Sequence, residues 1–285
     1  MEKSTAILLF SCPDQKGIVA AVSGFIARHN GNILDADQYS LQPENMLFMR
    51  VEWDLEGFTL GRGELEEAIA PLVKRFGMQW KIHFSDDVPK VAIFVSRHLY
   101  CFHDLMLRHR MGEFKARIPL VISNHRDVEP LADFFGLTCR HYPITPENKE
   151  EQEKREIAEL EREGIDLVIL ARYMQVLSAA FVARYPGRII NIHHSFLPAF
   201  AGKSPYRQAY ERGVKIIGAT SHYVTEKLDD GPIIAQDIIR ITHKDSVDTM
   251  KLKGKDLERT VLSKAVRLHL EHRIAVYGSK TIIFE

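Results

Sequence analysis

Asn191 and His193 lie two positions apart at the end of a hydrophobic run formed by Ile189, Ile190 and Ile192. On a β-strand, residues i and i+2 face the same side, so we expect the amide and the imidazole to project together. An amide donates hydrogen bonds to a developing oxyanion, and an imidazole carries a proton. The pair therefore predicts chemistry at a carbonyl carbon, with acyl or formyl transfer as the first hypothesis.

The elements around this pair predict an α/β domain. From Val91 onward, short buried hydrophobic runs alternate with helical patterns, which is typical of a mostly parallel sheet. Ligands bind beyond the carboxyl ends of the parallel strands in such sheets, and Asn191 and His193 are expected there. We predict parallel strands over 91–95, 118–122, 138–141, 167–170 and 189–192, an antiparallel pair over 216–224 and 233–242, a helix over 247–272 and a closing ribbon around 278–279.

A run of charged residues over 148–163 predicts a helix with Glu and Lys at helical spacing. Ile157 and Leu160 are its inward residues in this interpretation. We expect a solvated surface helix that carries no function.

The first 85 residues have the pattern of a separate unit. The predicted elements are a strand over 6–10, a helix over 18–30 that Gly31 ends, strands over 32–40 and 45–53, a helix over 64–76 and a strand over 78–84. The order βαββαβ is the ferredoxin-like arrangement. The polar run 86–90 contains a proline and is the expected linker, so we predict one domain over 1–85 and a second over 91–285.

The N-terminal domain resembles the ACT domain, a regulatory module that often binds amino acids between paired copies. The resemblance is carried by the turn 14–17 and by the segment His29-Asn30-Gly31-Asn32. It implies an amino-acid effector and a homo-oligomer. The implied regulatory residues are Asp14, Lys16, Gly17, Asn30 and Asn32.

Composition limits the partners. The chain has 285 residues, 45% of them hydrophobic, and its 38 basic and 38 acidic side chains cancel. Zero net charge, without a basic stripe interleaved with aromatics, predicts no nucleic-acid partner. No apolar run approaches the ~18 residues that span a bilayer and no leader pattern is present, so we expect a cytoplasmic protein without a membrane partner. Three widely spaced cysteines, Cys12, Cys101 and Cys139, predict reduced thiols.

A carboxylate that would complete the Asn and His pair occurs at Asp229, in a turn-rich segment before Gly231. With Asn191, with His193 before a leucine-proline turn, and with Asp229, the second domain resembles the folate-dependent formyltransferases. In that family such residues surround the formyl group of 10-formyltetrahydrofolate. The resemblance implies that Asn191 donates to the oxyanion, that His193 supplies a proton or positive charge, and that Asp229 orients the nucleophile or takes its proton.

The same resemblance implies the residues that bind the folate. The family's pterin-contacting loop follows a buried strand, as residues 171–177 do here, although the family commonly has Arg at the position of Gln175. The segment 225–229 would line the same site. The implied substrate-binding residues are Met174, Gln175, Val176, Leu177, His222, Thr225, Glu226, Lys227 and Leu228.

The loop after the first strand of the second domain bears on the formyl acceptor. Glycinamide ribonucleotide transformylases have a Gly-rich loop there that holds a substrate phosphate, whereas residues 96–103 contain no glycine. Tyr100 and Phe102 are expected to fill the acceptor space and to leave water as the nucleophile.

This loop, the N-terminal unit and the motifs 190–200 and 205–210 make essentially the whole chain resemble the formyltetrahydrofolate deformylase family. The resemblance implies an enzyme that hydrolyses 10-formyltetrahydrofolate to formate and tetrahydrofolate. Such hydrolysis balances the one-carbon folate pools and supplies formate for purine synthesis.

Two other functions stay open at this point: formyl transfer to an amine acceptor, and a non-catalytic folate or amino-acid sensor. Asn191, His193 and Asp229 argue against a sensor, which needs no proton-transfer set. Metal is not expected, because the histidines show no H-E-x-x-H or two-His-one-carboxylate spacing and His193 and His194 would face opposite sides of a strand. No cofactor is expected either, since the Gly61-Arg62-Gly63 segment lacks the third glycine and the βαβ setting of a dinucleotide site.

Overall fold

The computed structural model describes residues 4–198 and 205–285. Ala199 and Phe200, which end the motif 190–200, lie outside the described residues. The chain divides into two compact units. The first comprises the chain up to Asp87 with Glu271–Tyr277 and Thr281–Glu285, and the second comprises Val88–Leu270 with Gly278–Lys280. The predicted second domain covers residues 91–285, whereas most of the closing ribbon belongs to the first unit.

The first unit has the predicted order βαββαβ. Its elements are β1 (Thr5–Pro13), α1 (Ile18–Arg28), β2 (Asn32–Leu41), β3 (Met46–Asp54), α2 (Arg62–Phe76) and β4 (Gln79–Phe84). The strands pair antiparallel in the order β2-β3-β1-β4, which is the ferredoxin-like arrangement. Phe10, Val51 and Trp53 of the sheet share one core with Val22 and Phe25 of α1.

The end of α1 differs from the prediction. Asn30, with a φ of 60°, takes the left-handed conformation that was predicted for Gly31. Gly31 is needed for space instead, since a Cβ there would lie 2.6 Å from Ile26 Cγ2. Asn30 therefore supplies the left-handed conformation that was predicted for Gly31, and Gly31 supplies the space for a close approach.

The second unit is an α/β sheet with helices on its faces. Its elements are β5 (Lys90–Val95), α3 (Tyr100–Arg110), β6 (Arg117–Ser123), α4 (Glu129–Phe135), β7 (Thr138–His141), α5 (Lys149–Glu163), β8 (Leu167–Ala171), α6 (Ala179–Arg184), β9 (Ile189–His193), α7 (Pro205–Arg212), β10 (Ile216–Tyr223), β11 (Ile233–Arg240) and α8 (Val247–Leu270). The sheet order is β11-β10-β9-β8-β5-β6-β7. The strands from β5 to β9 run parallel, and β10 and β11 are antiparallel. The predicted fold class is confirmed, whereas the short helices α6 and α7 were not predicted.

The strand order reverses at β5, which has β6 on one side and β8 on the other. In such sheets the crevice outside the carboxyl ends of the two strands at the reversal is where ligands bind. α8 contacts β9, β10 and β11, and residues of α5 and α6 share a core with Phe94 and Val168. Burial on both sides explains why the strands are continuous hydrophobic runs.

The closing ribbon completes the first unit. It consists of β12 (Ile274–Tyr277) and β13 (Lys280–Ile283), and Phe284 and Ala275 form a buried cluster with Phe48 of β3. A strand with one face in water alternates between buried and exposed residues, but β3 is buried at almost every position. The ribbon therefore supplies a second apolar layer to this sheet.

We expect Phe284→Ala to destabilise the first unit by about 3 kcal/mol, because the truncation leaves a cavity against Phe48. Both tryptophans of the chain, Trp53 and Trp80, lie in strands of this unit, so urea unfolding followed by tryptophan fluorescence reports on it selectively. Val276→Ala, on the same ribbon but at a residue 50% exposed, is the matched control and should leave the midpoint nearly unchanged. Equal midpoints for Phe284→Ala and the unaltered chain would contradict the ribbon's place in this core.

Candidate active site

The antiparallel pairing of β9 with β10 brings three polar side chains together. Asn191 lies opposite His222 in the register, and His193 lies opposite Thr220. Directly opposed residues of neighbouring strands project to the same side, and residues i and i+2 of one strand share that side. The predicted pair of Asn191 and His193 is therefore joined by the imidazole of His222.

The carboxylate comes from the loop between β10 and β11. This loop leaves β10 beside the amino end of β9, where Val224 N donates to Ile189 O at 2.9 Å. It then folds back, so that Asp229 Oδ2 lies 3.2 Å from His193 Nδ1 and Asp229 Oδ1 lies 3.7 Å from His222 Nε2. The three residues predicted as catalytic, Asn191, His193 and Asp229, thus meet with His222 in one place.

Steric constraints hold this loop in its folded-back path. Asp229 has a φ of 53°, a left-handed conformation that Asp tolerates better than most residues. A Cβ on Gly231 would lie 1.7 Å from Tyr223 O, so only glycine fits at this close approach. The turn sequence around Asp229 therefore also serves to aim the carboxylate.

Hydrogen bonds determine which ring nitrogens carry hydrogen. His222 Nδ1 lies 2.9 Å from Tyr223 O, and since a carbonyl only accepts, Nδ1 is the donor. In neutral His222, Nε2 accepts from Asn191 Nδ2 at 3.2 Å and leaves the second N–H of that amide for another acceptor. His193 Nδ1 donates to Asp229. His193 Nε2 is buried and has no hydrogen-bond partner among the described residues. Such an atom marks where water or substrate would bind.

The ionisation of the neighbouring groups follows from the same contacts. The hydrogen bond from His193, with His222 close by, holds the pKa of Asp229 well below its usual range, although burial opposes this effect. Burial lowers the pKa of His194 to about 3, and the nearby positive charge of Arg172 adds to this effect. Asp229 is therefore a carboxylate at neutral pH, and His194 is a neutral imidazole.

The two adjacent histidines do not lie on opposite sides. The expectation assumed an extended strand through both, but β9 ends at His193. The ring centroids of His193 and His194 lie 5.3 Å apart with an interplanar angle of 32°. Among residues 4–198 and 205–285, no group of three His, Cys, Asp or Glu side chains is arranged to hold a metal ion.

Thr220 ties the turn after β9 to the antiparallel strands. Its hydroxyl donates to Ser195 O at 2.9 Å and accepts from Leu197 N at 3.1 Å. Gln236 Nε2 of β11 donates to the same hydroxyl at 2.9 Å and to Leu197 O at 3.0 Å. These supporting residues were not predicted. Their signal was the run of three polar residues, Thr220, Ser221 and His222, within a predicted strand, and all three are buried.

The predicted substrate-binding residues differ in exposure. Met174 and Val176, after β8, are 55% and 52% exposed, and Leu228 in the loop after β10 is 63% exposed. Exposed apolar side chains suit a flat, partly apolar ligand. Leu177 is instead buried in the core with Phe181.

The other predicted contacts lie on the surface or within their own loop. Thr225 Oγ1 donates to Lys227 O at 3.1 Å, and Lys227 Nζ pairs with Asp230 at 3.0 Å. Glu226 is exposed and Gln175 is half-buried. Their contacts with a ligand stay a prediction.

α5 is not the passive surface helix that its charge run predicted. Tyr173 OH donates to Glu156 Oε1 at 3.0 Å, and Ser178 N donates to Glu153 Oε1 at 3.1 Å. Lys149 Nζ donates to a backbone carbonyl in the same loop after β8. The helix therefore anchors the loop that carries Met174.

A buried polar stripe on α5 was the signal for this role. Ion pairs such as Glu150 with Lys154 occupy the outer face, as predicted. On the inner face, polar residues recur at the helical spacing of Leu160. These buried residues are Gln152, Glu153, Glu156 and Glu159.

The two bulky residues predicted to fill the acceptor space, Tyr100 and Phe102, lie in different surroundings. The Tyr100 hydroxyl donates to Glu258 Oε2 of α8 at 2.5 Å. Phe102 is fully buried in the core, where its ring meets Phe135 edge-on with centroids 6.3 Å apart. The prediction for Phe102 was wrong because two residues along a helix turn the side chain to a different face.

The five predicted regulatory residues of the first unit form two groups. Asp14, Lys16 and Gly17 precede α1, and Asn30 and Asn32 follow it. A helix of 11 residues is about 16 Å long. The structure therefore does not bring the groups together within one copy. The Asn30 amide already donates to a backbone carbonyl at 2.9 Å.

Within the described residues, every helix is too short or too polar to span a membrane.

Two family models match the chain. The ACT domain model matches residues 6–73, and the Formyl transferase model matches residues 89–266, which is more than half of the chain. The fold and the Asn, His and Asp site thus define a formyl transferase domain that follows an ACT domain.

Relatives that match the chain over its full length identify a particular family within this class. The chain is 52% identical over 284 residues to the formyltetrahydrofolate deformylase of Synechocystis sp., with 100% of both chains covered. It is similar to the crystal structure of a formyltetrahydrofolate deformylase from Pseudomonas syringae pv. tomato, with a TM-score of 0.97 and 41% identity over 100% of this chain and 96% of that one. The glycinamide ribonucleotide transformylase 1 of Symbiobacterium toebii, 29% identical, matches 71% of this chain and 97% of its own with a TM-score of 0.66. The chain belongs to the formyltetrahydrofolate deformylase family.

Glu156 predicts a pH dependence of stability. Burial raises its pKa from 4.5 to about 8. Between these pH values the folded chain holds a proton that the unfolded chain lacks, so Glu156 lowers the stability as the pH rises through this window. Glu156 Oε2 and Gln152 Oε1 both lack a partner among the described residues. They lie four residues apart on α5, and residues at this spacing are neighbours on a helix. A proton on Glu156 would therefore also form a hydrogen bond with Gln152.

We expect Glu156→Gln to be more stable than the unaltered chain by on the order of 2 kcal/mol at about pH 8, and by much less at about pH 5. The amide keeps an acceptor for Tyr173 and cannot ionise. Urea unfolding across this pH range checks the trend, with Glu150→Gln on the exposed face of α5 as the matched control. A difference that stays constant with pH would show that Glu156 does not hold the proton.

Proposed function

We infer that the protein is an enzyme that hydrolyses 10-formyltetrahydrofolate to formate and tetrahydrofolate, with the folate as substrate. The observation that carries this inference is the Asp229 carboxylate held against His193 and His222, with Asn191 bound to His222. The likeness to deformylases over the whole chain favours hydrolysis over transfer to an amine and over a sensor.

We propose that Asn191 stabilises the charge that develops in the reaction. Attack of water on the formyl carbon makes a tetrahedral oxyanion, which an oriented N–H donor stabilises more than it stabilises the substrate. Neutral His222 engages one N–H of the Asn191 amide and leaves the other for the oxyanion. His222 is a positioning residue in this scheme.

We propose that His193 moves the proton. With Nδ1 donating to Asp229, Nε2 is the nitrogen that takes a proton from the attacking water and returns it to N10 of the folate as the C–N bond breaks. The low pKa of Asp229 makes this carboxylate a weak base. Its role is therefore to orient His193 and to stabilise the imidazolium that forms.

Substrate-binding roles for the exposed residues Met174, Val176 and Leu228 are part of the same proposal. The free thiols of Cys12 and Cys101 fit a reducing compartment, and we place the reaction in the cytoplasm.

We expect purified protein to release formate steadily from 10-formyltetrahydrofolate without an added amine and in the presence of a metal chelator. Asn191→Ala, His193→Ala and Asp229→Ala should each lower turnover at least ~100-fold while the folate still binds. Asp230→Ala is the matched control, because Asp230 is 57% exposed and pairs only with the exposed Lys227 among the contacts described here.

Near-normal turnover in any of the three variants would remove that residue from the scheme. Formate release that required an added amine would overturn hydrolysis in favour of formyl transfer.

We also propose that the first unit binds an amino acid between paired copies of the chain. The two groups of predicted residues lie at opposite ends of α1, so a ligand that contacted both would require a second copy. Binding that favours one state of the oligomer would then change the rate of hydrolysis.

An amino-acid effector should raise the unfolding temperature of the full chain and alter its rate of formate release. The measurement is a thermal-shift screen of the common amino acids, followed by the formate assay for each one that binds. If no amino acid changes either quantity, the regulatory proposal is wrong.

A further inference from the structure

A buried carboxylate lies near the site without belonging to the mechanism proposed above. Glu258 of α8 is 1% exposed. Tyr206 OH donates to its Oε1 at 2.8 Å, and Tyr100 OH donates to its Oε2 at 2.5 Å. Arg172 Nη1 lies 3.4 Å from Oε2. These four residues are called the Glu258 cluster below.

The Glu258 cluster is built on the part of the sheet where a ligand is expected. Arg172 follows β8 directly, and Tyr100 begins the helix after β5. The strand order reverses between β8 and β5, and the crevice outside the carboxyl ends of such strands is the usual ligand site of open α/β sheets. Two members of the cluster therefore follow the two strands at the reversal.

Ring contacts connect the cluster with the proposed catalytic centre. The centroid of the Tyr206 ring lies 6.1 Å from that of His194, which lies 5.3 Å from that of His193. The charge of Arg172 also acts on His194, where it lowers the pKa. The cluster therefore borders the place where the formyl carbon must be attacked.

Two local features maintain the cluster at a conformational cost. Arg172 has a φ of 61°, a left-handed conformation that is unfavourable for a residue other than glycine. Gly254 lies inside α8, where glycine is unfavourable relative to alanine. A Cβ on Gly254 would lie only 2.0 Å from the Tyr206 hydroxyl oxygen. Unfavourable local conformations of this kind persist where the surrounding structure requires them.

Both oxygens of the Glu258 carboxylate are contacted within the cluster, which leaves no open carboxylate for a ligand, whereas Arg172 Nε has no hydrogen-bond partner among the described residues. Burial and the Glu258 charge raise the pKa of Tyr100 and of Tyr206, so both hydroxyls stay protonated donors. Removing one member of a buried charge pair is strongly destabilising. A ligand that displaced Arg172 would have to offset that destabilisation.

We propose that the Glu258 cluster selects the formyl acceptor: it fills the crevice that an amine-bearing nucleophile would need, and it leaves His193 accessible only to water. The inference rests on the proposed hydrolysis and concerns which nucleophile that reaction admits.

The products of the two reactions differ in a measurable way. In hydrolysis the water oxygen bonds to the formyl carbon, the bond from that carbon to N10 breaks, N10 gains one proton of the water, and formic acid leaves and ionises to formate by releasing the other proton to solvent. If an amine replaces water, its nitrogen bonds to the formyl carbon, its lost proton goes to N10, and an N-formyl amine leaves. Tetrahydrofolate forms in both reactions, so the ratio of formate to tetrahydrofolate identifies the acceptor.

The experiment uses the full chain, 10-formyltetrahydrofolate and glycinamide as the probe amine. Formate, N-formylglycinamide and tetrahydrofolate are measured together. The unaltered chain should release formate and tetrahydrofolate in equal amounts at every glycinamide concentration. Tyr206→Ala and Arg172→Gly each remove bulk from the crevice, so formate should fall below tetrahydrofolate and N-formylglycinamide should make up the difference.

Three further variants test whether bulk is what matters. Tyr206→Phe keeps the ring and should keep formate equal to tetrahydrofolate. Tyr210→Ala removes a tyrosine from the same helix at a position 51% exposed, and should change neither the ratio nor the rate. Gly254→Ala displaces the Tyr206 ring without altering a group of the cluster, and it opens the crevice by a second route if Tyr206→Ala or Arg172→Gly fails to fold.

Equal amounts of formate and tetrahydrofolate in every folded variant with an opened crevice would overturn the proposed selection, as would N-formylglycinamide made by the unaltered chain. An unaltered chain that released no formate would instead overturn hydrolysis itself. The two failures are therefore distinguishable.

Discussion

The Asp229 carboxylate accepts a hydrogen bond from His193 and lies 3.7 Å from His222, and much of the second unit holds it in that position. A half-buried charge needs such partners, because burial without them disfavours the ionised form. The antiparallel β10 supplies one imidazole opposite Asn191, and the loop after β10 supplies the carboxylate itself. A parallel strand in place of β10 would have supplied neither this imidazole nor this carboxylate, because crossover segments would precede and follow it in the chain.

The loop after β8 is held in a comparable way by carboxyl groups that lie within the fold. Two consecutive residues, Arg172 and Tyr173, contact buried carboxyl groups on different helices: Glu258 of α8 and Glu156 of α5. Glu258 is matched by donors rather than by solvent, as buried charges require, whereas Glu156 retains a proton because burial raises its pKa to about 8. Contacts with two helices restrict the conformation of this loop. The exposed Met174 therefore projects from a rigid segment of backbone.

Periodicity in the sequence predicted the strands and the βαββαβ order because alternation and apolar runs are local signals. The shared side of Asn191 and His193 followed from strand geometry alone. The partnership of Asn191 with His222 could not be derived in this way, since it depends on the register between two strands that are distant in sequence. The charged run over 148–163, which includes Glu156, was interpreted as a solvated surface helix because its Glu and Lys recur at helical spacing. Only the packing of α5 against the loop after β8 reveals the partner of Glu156.

The ribbon formed by β12 and β13 gives the chain an unusual order of assembly. Almost all of the second unit, Val88–Leu270, is inserted between β4 and this ribbon. During synthesis β1 to β4 leave the ribosome early, while the segment that covers Phe48 follows only after the inserted unit has been made. The nascent first sheet therefore carries an uncovered apolar face for as long as the rest of the chain is being translated. Chains that stop within the second unit keep that apolar face exposed. Chaperones and proteases recognise incomplete proteins by exposed apolar surfaces of this kind.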